Sequence, residues 1–177
     1  NAAESLDQAL AIIVSRVRLA MGTEVCSVYI RDQRDGRYVF RATEGLNTSQ
    51  VGEAALDPGQ GLVGLVAERE EPVNLQDAEL HANFQLLPDI GEEPFHAFLG
   101  VPIIHQRIVL GVLVVQQSER RRFDESEEAF LVTLSAQLSG VIAHAMVTGA
   151  VPDISSPERD TAYSRISGVP GAPGVAI

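Results

Sequence analysis

Residues 95–117, FHAFLGVPIIHQRIVLGVLVVQQ, restrict the possible folds more than any other stretch of the chain. They read as two β-strands joined by a short polar turn. The first strand, about 95–104, is interrupted by Gly100 and Pro102, where a bend or bulge is expected. The second, about 109–117, is the most apolar run in the protein and is rich in β-branched residues. Such a run, bounded by turn signals, fits a strand covered on both faces. The rest of the chain must therefore supply two covers, and one of them could leave room for a ligand.

The first cover is helical. Leu6, Leu10, Ile13, Val14, Val17 and Met21 recur at helical spacing and make one apolar stripe. Ser5 is expected to cap the start of this helix and Gly22 to stop it. Residues 124–147 make a second long helix, with Asp124 as its cap and Glu127 placed for a capping box. Its stripe is Leu131, Leu134, Leu138, Val141, Ile142 and Ala145. Between the two helices in sequence lie strands at 24–31 and 37–44, joined by a turn carrying Asp35-Gly36. Cys26, Val28 and Ile30 share one face of the first strand. Ser27, Tyr29 and Arg31 share the other, more polar face. The economical packing is α+β, with both helices side by side on one face of an antiparallel sheet.

Residues 45–95 are left to roof the second face. A Pro58-Gly59 turn leads into a short helix at 61–69, with Leu62, Val63 and Val66 on one side. Pro72 ends that region, and 73–75 form a short edge strand. The Gly-rich start lacks the Lys and Ser/Thr of a phosphate loop, so it reads as a turn into a helix. Residues 77–93 read as a loop with a helical piece around 81–87. A sheet roofed by loops is a common way to build a small-molecule pocket. Ser27, Tyr29, Thr43, His96, Phe98 and Gln116 are strand residues that could point into it, and Phe84 and Gln85 could reach in from the roof. Each has an ordinary alternative: Tyr29 and Phe98 as core aromatics, Gln116 as an exposed strand end.

Other chemistries find little support. A net charge of −11 disfavours nucleic acid and anionic membrane surfaces, because both reward basic patches. The cationic cluster at 120–122 reads as a solvated loop. No uninterrupted apolar run approaches the ~18 residues that suggest a spanning helix, and no signal peptide is visible. The histidines at 81, 96, 105 and 144 have no i+4 partner, CxxC neighbour or HExxH context, so a metal site from Asp77, His81 and His96 is disfavoured. The single cysteine, Cys26, sits mid-strand and reads as a core residue. That excludes a disulfide framework and fits a reduced, cytoplasmic setting. The pairs Glu70/Glu71 and Glu92/Glu93 read as solvated loop charges, and no catalytic residue is assigned.

The order of elements, with FLGVPI followed by GVLVVQQ and a long last helix, resembles a GAF domain over about residues 4–147. The tail SRISGVPGAPGVAI, residues 164–177, resembles the segment that opens Enzyme I of the sugar phosphotransferase system. A GAF domain before such a segment is similar to the nitrogen-related Enzyme I family. The resemblance implies a GAF sensory domain at 1–147, a linker at 148–168, and at 169–177 the cut start of a phosphohistidine domain. The chain opens on Asn1, so it reads as a fragment. The complete protein would pass phosphate from phosphoenolpyruvate, with Mg2+, through a histidine downstream of Ile177 to a phosphocarrier protein. None of the four histidines here inherits that role. The GAF domain would sense glutamine or 2-oxoglutarate, act as a homodimer and carry no cofactor; Cys26 is misplaced for a bilin.

Two rival expectations stand beside this. One is a structural module that dimerises through the outer faces of its terminal helices, its pocket filled by its own side chains. The other is an enzyme like the GAF-fold sulfoxide reductases, disfavoured because those use a set of cysteines. The chain has no lysine, and few arginines (Arg31, Arg41, Arg69) fall near the roof. That tilts the ligand expectation towards a neutral or zwitterionic molecule over a dianion.

Overall fold

The computed structural model describes residues 2–87, 89–91 and 95–149, with side chains from residue 4 onwards. The expected linker beyond residue 149, the segment at 169–177 and Glu92/Glu93 lie outside the described residues. Helix α1 is Ala2–Met21. Strands β1 (Val25–Arg31), β2 (Tyr38–Glu44) and β3 (Ala55–Leu56) follow, then helix α2 (Gly61–Arg69), β4 (Val73–Leu75), β5 (Ala97–His105), β6 (Ile108–Gln117) and helix α3 (Glu125–Val147). The strands form one antiparallel sheet in the order β3-β2-β1-β6-β5-β4.

The expected two-sided burial of β6 holds. On one face Leu113 and Val115 pack with Val28, Ile30, Leu99 and Val101 under the stripes of α1 and α3, including Leu10, Val14, Leu131 and Ile142. On the other, Val112 and Val114 pack with Tyr29, Phe40, Phe98 and the buried side of α2. Burying each large aliphatic side chain contributes roughly 1.5–3 kcal/mol, so both layers stabilise the sheet. By length and composition α3 could cross a membrane; a third of its most apolar stretch is buried, and its inward stripe is spent on the sheet.

Several local expectations need correction. Helix α1 already runs from Ala2, so Ser5 lies inside it and does not cap its start. Its end is as expected: Gly22 is left-handed (φ 66°), the Gly22 N–H donates to Leu19 O (3.3 Å) and the Thr23 N–H to Arg18 O (3.2 Å). Gly100 and Pro102 do not bend β5. Both keep regular register, opposite Val114 and Val112, and the irregularity falls between Ile103 and Ile104. Strand β4 pairs only as far as Gly100, so at Pro102 β5 is an edge, the place where a sheet tolerates proline. The helical piece expected around 81–87 is instead a 3-10 turn at Ala78–Leu80.

A bulge in β2 decides which residues face the roof. Val28 pairs with Ala42 and Tyr29 with Phe40, leaving Arg41 as the extra residue. Simple alternation would put Phe40 and Thr43 on opposite faces. The bulge turns both to the roof side, while Arg41 pairs with Asp7 of α1 at 2.9 Å. The short edge strand β4 is blunted by Asn74, whose side chain donates to Phe123 O (2.8 Å) and accepts from Phe123 N–H (3.1 Å).

The start of α3 carries the expected capping box. Asp124 Oδ1 accepts the Glu127 N–H (2.8 Å), Glu127 Oε1 accepts the Asp124 N–H (2.9 Å), and Arg121 grips Glu127 with two nitrogens at 2.9 and 2.8 Å. The Glu127 backbone hydrogen bond holds the Asp124 carboxyl below its ordinary 3.8, and Arg121 holds Glu127 below its ordinary 4.5. Both folded values are depressed, so this contribution is present above the ordinary values and is lost as pH falls through the folded ones. Urea midpoints measured between about pH 6 and 2 should therefore fall less steeply for Asp124→Asn/Glu127→Gln than for the parent chain. Equal slopes would show that the box contributes nothing to acid sensitivity.

Candidate functional site

The roof side of the sheet is laid out by strand register. One row across it is Leu75, Phe98, Gln116 and Val25. The next is Val73, Gly100, Val114, Ser27 and Thr43. Tyr29, Val112 and Phe40 lie beyond it. Most of these are apolar, yet Ser27, Thr43 and Gln116 are buried among them. The Ser27 and Thr43 hydroxyls are hydrogen-bonded at 2.9 Å. Gln116 is not the exposed strand end considered above, because it is only 1% exposed. Buried polar groups cost stability unless they are satisfied, so this polar cluster across two rows of an apolar floor stands out.

The aromatic residues are core on this geometry. Tyr29 and Phe40 rings lie 5.2 Å apart, and both are buried. The Phe98 ring folds over Gly100: a methyl group at Gly100 would come within 2.9 Å of two ring carbons and of Val66 Cγ2. Glycine at 100 thus makes room for the ring and for α2 at once. From the roof, Phe84 packs half-buried on this core, but Gln85 is exposed and does not reach in. The residues that do insert are Leu87 and Ile90, which nothing in the sequence marks because the segment has no periodicity.

The roof is strapped down at several points. The Ala78 N–H donates to His96 O (2.8 Å), and Asn83 Nδ2 donates to Gly59 O (3.2 Å). Asn47 ties the far end, donating from Nδ2 to Asp89 O (2.7 Å) and from its N–H to Ile90 O (2.9 Å). At the rim, His96 Nδ1 and Glu79 Oε1 are 2.7 Å apart. Arg120 joins them, with Nη2 on Glu79 (2.9 Å) and Nε on Asp77 (2.6 Å). Burial would raise the Glu79 carboxyl, but hydrogen bonds from its own backbone, Arg120 and His96 hold it below its ordinary value. Arg120, expected as a solvated loop residue, therefore links the roof to the connection leading into α3.

Nothing here resembles a nucleophile poised for chemistry. Cys26 is buried on the helix side of β1, and burial, then the Glu44 charge, push its thiol up and away from thiolate. His81 and His96 each engage Nδ1, with the Asn83 N–H (3.0 Å) and with Glu79. Among the described residues no group of three His, Cys, Asp or Glu side chains could hold a metal. Clefts lined by described residues include one of about 300 Å³ between α1 and α3, near Leu6 and His144. Another, of about 340 Å³, lies beside Arg31 and Tyr38.

Comparison with known proteins agrees with this architecture. The GAF domain model matches residues 5–142. A phosphoenolpyruvate-dependent phosphotransferase system protein of Salmonella typhimurium is 48% identical over 99% of the chain, and the chain spans 22% of its length. The solved GAF domain of a phosphoenolpyruvate-protein phosphotransferase from Coxiella burnetii superposes with a TM-score of 0.79 at 51% identity, covering 82% of this chain and 87% of that one. The corresponding domain from Acinetobacter gives 0.75 at 47% identity, with the same coverage.

Proposed function

This chain belongs to the GAF domain family, and from that premise we propose that it is the regulatory, small-molecule-sensing domain of a phosphoenolpyruvate-dependent phosphotransferase acting in nitrogen regulation. High identity to phosphotransferase relatives over nearly the whole chain supports the assignment to such a protein. In this reading the domain works in the cytoplasm, beside a downstream phosphohistidine domain and its phosphocarrier, and Mg2+ serves that downstream part. The ligand is a small nitrogen metabolite, glutamine or 2-oxoglutarate.

The observation that carries the ligand reading is the buried group of Ser27, Thr43 and Gln116, from two neighbouring rows beneath the strapped roof. It offers two hydroxyls and an amide, with no charge among them. Such groups suit the amide and zwitterionic ends of glutamine better than a dianion, which would call for a guanidinium in the floor. Signal output would run through Arg120, because a ligand that displaces Asp77 and Glu79 also displaces the lead into α3. The ligand shifts the downstream equilibrium only by its differential affinity for the two roof positions.

Calorimetric titration with glutamine and with 2-oxoglutarate tests the reading. Glutamine should bind, and Thr43→Val/Gln116→Leu should weaken it at least ~10-fold, the usual scale for leaving a ligand's polar groups unpaired. No heat with either metabolite at millimolar concentration removes the sensing role. A second reading, a structural module that dimerises, is favoured by a different observation. Phe84, Leu87, Ile90 and Phe98 pack into the space below the roof, and α3 leaves Phe130, Val132 and Val141 exposed. A stable dimer that binds neither metabolite is its signature.

A further inference from the structure

The cleft of about 340 Å³ beside Arg31 lies in the same layer as Ser27, Thr43 and Gln116 but at the opposite ends of the strands, past the Tyr29–Phe40 pair. It runs between the sheet and the C-terminal end of α2, and Arg31, Tyr38, Glu70 and Arg107 are among its walls. Its size falls within the range of small-molecule sites. The arginines are its unusual feature. The other arginines of the β1–β2 hairpin are matched with aspartates: Arg34 with Asp32 (3.2 Å), Arg37 with Asp57 (3.2 Å) and Arg41 with Asp7 (2.9 Å). Among the described residues neither Arg31 nor Arg107 joins an ion pair. Arg31 Nε is buried and donates to nothing. In a chain with 24 acidic and 13 basic residues, two unmatched guanidiniums in one cleft are not explained by a shortage of acids.

The backbone around the cleft is also held in an unfavourable form. The β5–β6 turn is Gln106-Arg107, flanked by the pair His105 and Ile108. Both turn residues are left-handed, at φ 50° and 66°. That two-residue turn favours Asn-Gly, and an unbranched but bulky Gln-Arg is a poor occupant. Glu70, at the end of α2, is left-handed as well, at φ 57°. Non-glycine residues held this way gather where a side chain must be aimed. Here the turn sets Arg107 on the wall of the cleft that Arg31 lines.

We propose that this cleft is a second ligand site that takes a compact organic or inorganic dianion, held by the guanidiniums of Arg31 and Arg107. Guanidinium forks bind carboxylate and phosphate oxygens with paired hydrogen bonds, and two of them suit two negative charges. The Tyr38 hydroxyl, at the same wall, is a further donor. The site is independent of the glutamine-type ligand read above, because none of Ser27, Thr43 and Gln116 lines it.

The test titrates the chain with succinate and with inorganic phosphate, using glutamine as the control with no net charge, and follows backbone amide signals by NMR. Succinate or phosphate should shift the signals of residues 31, 38 and 107, and the stronger of the two identifies the anion class. Binding should weaken about tenfold or more in Arg31→Gln and in Arg107→Gln, and should also weaken as salt is raised. Arg107 is an exposed turn residue, so its variant keeps the test sound if Arg31→Gln loses stability. Thr43→Val/Gln116→Leu should leave anion binding unchanged while weakening any glutamine response, which separates the two sites. Absence of binding by both anions up to ~10 mM, a concentration that would reveal even millimolar affinity, overturns the proposal. So does binding that survives Arg31→Gln/Arg107→Gln at full strength.

Discussion

Gly111→Ala should strongly destabilise the fold. Gly111 sits in β6 opposite Ile30 of β1, at the middle of the sheet. A methyl group there would fall well inside contact distance of the Tyr29 carbonyl oxygen and would meet Ile103 Cδ1 at 3.4 Å. The obstacle is backbone on the neighbouring central strand, so no side-chain rotation relieves it. The strands must separate, and their ladder hydrogen bonds weaken with them. A cost of about 3 kcal/mol or more is expected, at the upper end for overpacking. That is a large share of the ~5–15 kcal/mol that holds a domain of this size. The same substitution at Gly140 is the control. A methyl group at Gly140 meets nothing within 4 Å, and the residue lies inside α3. Gly140→Ala should stabilise by up to about 1 kcal/mol through helix propensity. Urea unfolding of both variants measures the contrast. Equal effects would mean that β1 and β6 do not approach as closely at Gly111 as described.

Phe98→Ala should cost about 3–5 kcal/mol, the usual range for removing a fully buried phenyl ring. Phe98→Leu should cost less, under about 1.5 kcal/mol, because it keeps most of the volume. The pair separates two roles for this residue. If the ring is mainly the partner of Gly100, Val66 and the roof, stability falls with lost volume and the leucine variant still answers to glutamine. If the ring mainly contacts ligand, Phe98→Ala changes stability by less than about 1 kcal/mol while the calorimetric response disappears. The packing of the ring over Gly100 predicts the first result.

The elements legible in the sequence were those with their own periodicity or punctuation. The stripe of α1, that of α3 apart from Val141, which is exposed, the Asp124–Glu127 box, the extent of α2 and the edge strand β4 all follow from local pattern. Strand β3 was missed because two residues carry no pattern; it exists only where Tyr38 and Val39 offer partners to Leu56 and Ala55. The roof was misread for the same reason. Its 3-10 turn, its straps from Asn47 and Asn83, and the inward turn of Leu87 and Ile90 depend on groups distant in sequence. The bend expected at Gly100 and Pro102 is absent because neither residue breaks the strand. One is a space for the Phe98 ring, and the other lies where β5 has become an edge.

The candidate site divides along the same line. Alternation in β1 already placed Ser27 with Tyr29 and apart from Cys26, because side chains of an extended strand alternate between faces. Thr43 joins Ser27 only because the bulge at Arg41 inserts one residue and resets the parity of β2. Gln116 could be a strand end or a buried amide until β1 and β5 close on either side of β6. The sequence by itself therefore determined which faces are apolar and where helices begin and end, since these are short-range consequences of spacing and capping. Only the tertiary structure decided the roof, the register and the cleft beside Arg31, because each depends on long-range pairing that no local pattern encodes.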